Sequence, residues 1–222
     1  MLPKVSHWYP TMRLKRVGIF LAALALSSLP GGCTYTVPID PTLPRRPLVE
    51  RLPVMVGVHY SEDFRSFEYR TRYDLYSPFD HTYRFPLGAA SVALFDQILA
   101  SLFEEVKPVD HLPPLSPKKP EISAVIQPKI SAVSAEKLDL RSVTIEYEIG
   151  IYAPDGAKVA SWKVEGFGRS DMELSLIKTI AGDATQKAMR DVGTRVLSSF
   201  FQDPDVKAWF DKAGATSRTR AP

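Results

Sequence analysis

Hydrophobic and polar positions alternate most cleanly between residues 143 and 151. Val143, Ile145, Tyr147, Ile149 and Ile151 interleave with Thr144, Glu146 and Glu148, the period of a strand buried on one face. Ala153-Pro154-Asp155-Gly156 follows as a turn signal, and Ala160, Trp162 and Val164 continue the pattern on a returning strand. Upstream, Ile122, Ala124, Ile126, Ile130 and Ala132 share one parity. Pro128 interrupts that ladder, which predicts an edge position or a bulge. The run Val54 to Tyr60, rich in valine, reads as a further strand, and Phe64 to Tyr73 as another, broken by Ser77-Pro78.

Two segments change to the helical period. Over about 89–105, Val92, Phe95, Leu99, Leu102 and Val106 recur at intervals of three and four, widened by Ile98 and Phe103. Over about 174–201, Ile177, Ala181, Ala184, Ala188 and Val192 define a buried face, with Val196 and Phe200 beyond it. Its alanines allow close approach to a sheet. Residues 34–53 carry Pro38, Pro41, Pro44, Pro47 and Pro53. Such spacing predicts an extended spacer, reaching ~60 Å at ~3.1 Å per residue. Residues 108–120 hold five more prolines and read as an exposed loop, and 203–222 as a flexible polar tail. The expected architecture is α+β: a mainly antiparallel sheet with two long helices on one face, preceded by a Pro-rich tether. One domain spans 54–202.

Composition sharpens this in two places. The 222 residues carry 45% hydrophobic and 24% charged side chains, ordinary for a globular chain. The net charge of +3 comes from the N-terminus, because residues 1–32 hold Lys4, Arg13, Lys15 and Arg16 and no acid. Without them Lys+Arg falls from 28 to 24 against 25 Asp+Glu, a net charge of −1. The body then has no excess of cations to displace counterions from phosphates, so nucleic acid is not an expected partner.

Residues 1–32 read as a signal peptide, for which Met12 also fits as the start. Met12 to Arg16 is basic, Val17 to Leu29 is apolar, and Pro30-Gly31-Gly32 precedes Cys33, the single cysteine. Thirteen residues span ~20 Å as a helix, short of the ~30 Å hydrocarbon core, so a signal is favoured over a transmembrane anchor. Gly31-Gly32-Cys33 resembles the lipobox of a bacterial lipoprotein precursor, with Leu29 one place further back than usual and Pro30 in its position. The resemblance implies lipidation of Cys33 after cleavage, palmitate among the acyl chains, and a membrane as partner. Thr34 after the cysteine implies the periplasmic face of the outer membrane. Inner-membrane anchoring and surface exposure remain alternatives. The body is similar in layout to small periplasmic lipoproteins of the LptE-like, YajG-like and ABC-transport-auxiliary kinds. The carrying residues are Gly88-Ala89-Ala90-Ser91, the hairpin over 142–168, and Ala184 with Ala188-Met189-Arg190-Asp191.

Catalytic and metal constellations are not apparent. His59, His81 and His111 lack zinc-ligand spacing, and no nucleophile elbow, phosphate loop or dinucleotide pattern appears. Ser91 reads as a capping or first-turn residue. Glu146 and Glu148 would lie ~7 Å apart on one strand face, within the range of a glycosidase pair, but alternate acids on a strand read first as a solvated face. Gly166 and Gly168 read as bulges or close-packing positions. The most unusual stretch is 61–85, where eight aromatics are interleaved with charges such as Arg65, Glu68, Arg70, Arg72 and Asp74. Alternate aromatics fit a core face. Tyr69, Arg70, Arg72, Tyr73, Tyr76 and Phe79 are the candidate partner-binding residues, since Tyr and Arg favour binding hot spots. The expectation is a non-enzymatic lipoprotein without cofactor or metal, an accessory or docking subunit of an envelope transport or assembly complex. The alternative is a lipid- or glycan-binding module, with Tyr69, Tyr73 and Tyr76 lining a groove.

Overall fold

The computed structural model describes residues 33–40, 51–73, 81–114, 122–136, 140–173 and 175–220, with side chains as far as 213. The leader, Tyr76 and Phe79 lie outside the described residues. The fold is α+β, with eight strands and four helices described: β1 (Cys33–Thr36), β2 (Leu52–Val58), α1 (Glu62–Arg65), β3 (Tyr69–Tyr73), β4 (His81–Phe85), α2 (Leu87–Leu102), β5 (Phe103–Pro108), β6 (Ile122–Ala135), β7 (Ser142–Tyr152), β8 (Lys158–Arg169), α3 (Ile177–Ser199) and α4 (Pro204–Arg220).

The larger sheet has the order β5-β2-β6-β7-β8. The meander β6-β7-β8 is antiparallel and carries the longest ladders, whereas β2 pairs in parallel with both β5 and β6. Val143, Ile145, Tyr147, Ile149 and Ile151 all point into the main core, as their alternation requires. Pro128 sits where β6 has outrun β2. The β2 pairing ends at Ile126 while Pro128 still faces Ile149 of β7, so the missing N–H falls on a local edge. On β2, Val54, Val56 and Val58 face the main core, and Met55 packs against a second cluster of Val109, Ile122 and Val125.

Helix α3 crosses β8 at its glycines. A Cβ on Gly166 would come 2.3 Å from the Ala188 carbonyl oxygen, and one on Gly168 2.0 Å from that of Ala184. Backbone therefore meets backbone, with the small residues of both elements making room. Gly88 does the same for α2, where a Cβ would lie 2.0 Å from the Arg65 carbonyl oxygen.

Four segments differ from the sequence expectation. The first helix stops at Leu102, and Phe103–Pro108 forms β5 beside β2. Residues 103 and 106 continue the helical spacing by coincidence, because Phe103 is also buried from a strand. The expected strand Phe64–Tyr73 begins as α1, capped by Ser61 Oγ accepting from the Phe64 amide at 3.3 Å. The expected C-terminal tail is α4. Asp203 Oδ1 accepts from the amides of Asp205 (2.9 Å) and Val206 (3.1 Å), and Val206 and Phe210 are buried in the core. The expected spacer is docked where it begins. Cys33–Thr36 pairs with β4, Val37 is fully buried with its amide donating to the Arg84 carbonyl (2.8 Å), and Pro38 lies against Gly182 of α3.

Candidate membrane and partner surface

The three-stranded sheet β1-β4-β3 brings Cys33 together with the aromatic stretch. Here β1 runs parallel to β4, and β3 antiparallel to it. The register sets side chains in rows: Cys33–His81–Tyr73, then Thr34–Thr82–Arg72, then Tyr35–Tyr83–Thr71, then Thr36–Arg84–Arg70. Val37 continues the β1 line toward the core, and Tyr69 pairs with Phe85.

Alternate rows face opposite ways. One face is aromatic. Tyr35 stacks on Tyr83 (5.4 Å between centroids) and meets His81 edge-on (5.6 Å). Tyr73 meets Tyr83 at 6.0 Å, and Tyr69 meets Phe85 at 5.6 Å. Phe85 is fully buried and Tyr83 nearly so, while Tyr35 is 38% exposed and all of β1 is open to solvent. The face thus grades from core at the Phe85 end to solvent at the Cys33 end. Burial, with the neighbouring Tyr35 and Tyr73, pushes the Tyr83 hydroxyl above its ordinary pKa.

The other face is charged. Glu68 pairs with Arg70 and lies 3.4 Å from Arg84 Nε, whose Nη2 donates to Thr36 Oγ1 at 3.1 Å. The sequence candidates are accordingly divided. Tyr69 and Tyr73 are half-buried on the aromatic face, whereas Arg70 and Arg72 are exposed on the opposite one. Tyr35 was not singled out by sequence reasoning. Its signal is the alternation Cys-Thr-Tyr-Thr within an otherwise proline-rich stretch.

Four of the side chains weighed for chemistry have structural partners, whereas Nδ1 of His81 is buried without a hydrogen-bond partner among the described residues. Ser91 does not cap α2: it is fully buried, with Oγ 2.8 Å from the Tyr147 hydroxyl. Burial pushes that tyrosine far above its ordinary pKa. Glu146 accepts from Ser131 Oγ (2.6 Å) and Lys163 Nζ (2.9 Å), and these bonds hold its carboxyl below the ordinary value. Glu148 accepts from Ser161 Oγ at 2.9 Å. The His59 ring bonds the Val109 carbonyl through Nδ1 (3.1 Å), which closes the end of the β2–β5 pair.

A cleft of about 440 Å³ opens between the α1 region and β6, lined by Ser61, Asp63, Phe64, Phe67, Gln127, Lys129 and Ile130. Gln127 is 5% exposed, and its buried Oε1 has no hydrogen-bond partner. Neither Tyr69 nor Tyr73 lines this cleft. Among the described residues no helix is long and apolar enough to cross a membrane.

No protein-family model matches the chain, and no curated protein matches it. Solved structures similar to it include a Xanthomonas campestris protein of the family DUF330, at 13% identity over 81% of this chain and 99% of that one, TM-score 0.45. The hypothetical protein CT253 from Chlamydia trachomatis is 13% identical, over 66% of this chain and 96% of that one, TM-score 0.38. A candidate lipoprotein from Caulobacter crescentus CB15 is 9% identical, over 56% of this chain and 83% of that one, TM-score 0.33.

Proposed function

We propose that this chain is a membrane-anchored lipoprotein of a bacterial envelope, working without catalysis as an accessory or docking subunit of a transport or assembly complex. The observation that carries the reading is Cys33. It follows an apolar leader and stands exposed at the first position of β1. Acyl chains there hold a protein on a membrane, since each buried CH₂ contributes ~0.8 kcal/mol and two or three chains suffice where one does not. Thr34 favours the periplasmic face of the outer membrane.

Both outer strands of the smaller sheet, β1 and β3, support a docking role. Among the described residues each has a single neighbour in that sheet, so a partner strand has backbone to pair with. Arg70 and Arg72 on β3 offer side-chain specificity beside that edge. The test is co-purification: tag the C-terminus, solubilise membranes in mild detergent and identify what elutes. A stoichiometric envelope protein is the expected result, and elution of the chain alone contradicts it.

The cleft beside Gln127 favours a second reading, a module for a small hydroxyl-bearing ligand such as a glycan unit. Its volume lies in the range of ligand pockets, and Gln127 Oε1 is an acceptor awaiting a donor. Small-molecule mass spectrometry of denatured protein tests it. A compound lost on Gln127→Leu supports the reading, and protein that yields none contradicts it.

A further inference from the structure

We infer that the Cys33 end of the β1-β4-β3 sheet rests on the phospholipid headgroup layer, so that the body sits directly on the bilayer. The inference rests on the membrane attachment proposed above and adds the surface that meets the lipid.

The first argument is the lack of slack. A spacer of twenty residues would leave the body ~60 Å from its anchor. Instead, Cys33, Thr34, Tyr35 and Thr36 are each paired to β4, and Val37 is fully buried. Pro38 is held against α3, where the Gly182 Cβ position lies only 2.6 Å from the Pro38 carbonyl oxygen. The anchor point is therefore part of the folded body. Acyl chains on Cys33 attach at this position, and the apolar run 17–29 ends four residues before it in the sequence.

The second argument is the chemistry of that end. The row at Cys33 carries His81 and Tyr73, and Tyr35 lies two residues along. Tyr73 packs against the hydrophobic core, and Tyr35 stacks on the nearly buried Tyr83 while 38% of it stays exposed. Tyrosines with an apolar body and a polar tip settle at the headgroup level of bilayers. The sheet grades from fully buried Phe85 to exposed Cys33, and the exposed Tyr35 lies two residues from Cys33.

The test uses the full chain purified from membranes and reconstituted in vesicles of phosphatidylethanolamine and phosphatidylglycerol. Tyr35→Trp and Tyr73→Trp are made separately, with the emission of the parent's native tryptophans as the baseline: Trp162 and Trp209, and Trp8 where the leader is retained. In vesicles whose lipids carry bromine near the top of the acyl chains, the added emission should fall by about half, as for a ring ~5–10 Å into the headgroup boundary. Two variants guard against one of them disturbing the packing on Tyr83. Added emission that is equal in brominated and unbrominated vesicles for both variants overturns the inference. Intact mass of the same samples reads the state of Cys33 separately. An unmodified Cys33 would refute the lipoprotein reading, while quenching in that sample would still uphold the contact and its absence would still overturn it.

Discussion

Gly168 of β8 faces the carbonyl oxygen of Ala184 so closely that a Cβ at Gly168 would stand 2.0 Å from it. A backbone oxygen cannot rotate away as a side chain does, so Gly168→Ala must lift α3 from the sheet. Overpacking of this kind costs about 1–3 kcal/mol or more. Gly166→Ala should behave alike, since Ala188 occupies the same relation one turn on. Phe167→Ala, between them and half exposed, should stay within ~0.5 kcal/mol of the parent. Thermal unfolding of the three variants checks the contrast.

Ser91 and Tyr147 form a buried hydroxyl pair at 2.8 Å. Removing either partner leaves the other unsatisfied, which costs about 1–3 kcal/mol. Ser91→Ala and Tyr147→Phe should each destabilise by that order, and the double variant by less than the sum of the two. A double-mutant cycle in denaturant measures the coupling, and additive losses would show that the hydroxyls do not depend on each other.

Phe210 ties α4 to the body through Phe103 (5.1 Å between centroids) and Phe200 (6.1 Å). Phe210→Ala should cost about 3–5 kcal/mol. Deleting residues 203–222 should do at least as much, because it also removes Val206 and the bond from Trp209 Nε1 to the Ser123 carbonyl at 3.2 Å. A truncation with unchanged stability would restore the reading of this segment as a tail.

The acid and alkaline limits of stability have separate sources. Ser131 and Lys163 hold Glu146, and Lys187 holds Asp171, below their ordinary carboxyl values of 4.5 and 3.8. Groups so depressed stabilise the fold above those values and lose the contribution as pH falls through the folded ones. Burial raises Tyr60 and Tyr147, Tyr60 also through its bond to Asp96 Oδ1 (2.8 Å). Both stay protonated in the fold while the unfolded chain ionises from about pH 10, so stability declines as pH rises beyond that. Glu146→Gln should flatten the acid limb and Tyr60→Phe the alkaline limb of a plot of unfolding midpoint against pH.

The meander and the helices α2 and α3 were legible because each buries one face at a regular period: Val143 to Ile151 at two, Ala181 to Val192 at three and four. Among the elements that stayed hidden, three were hidden for different reasons. In β5, Phe103 and Val106 fit the helical spacing and the strand equally, and only pairing with β2 decides between them. The α4 start was written as Asp203-Pro204, an N-cap followed by proline at the first helical position, with Val206 and Phe210 one turn apart. Its polar composition masked that signal. The docking of β1 depends on β4, some fifty residues away, and prolines on either side concealed it. At the candidate surface the alternation of tyrosine and arginine in β3 was legible, but which set faces inward follows from the β4 pairing. Gln127 could not be found from sequence, because its missing partner is a property of the packed cleft.

The lipoprotein reading depends on what becomes of Cys33, and intact mass spectrometry of the chain isolated from its own membranes reads that directly. The account predicts a polypeptide that begins at Cys33, with the added mass of a diacylglyceryl group on its sulfur and an acyl chain on its amine. A chain cleaved elsewhere, or one carrying an unmodified Cys33, would contradict it.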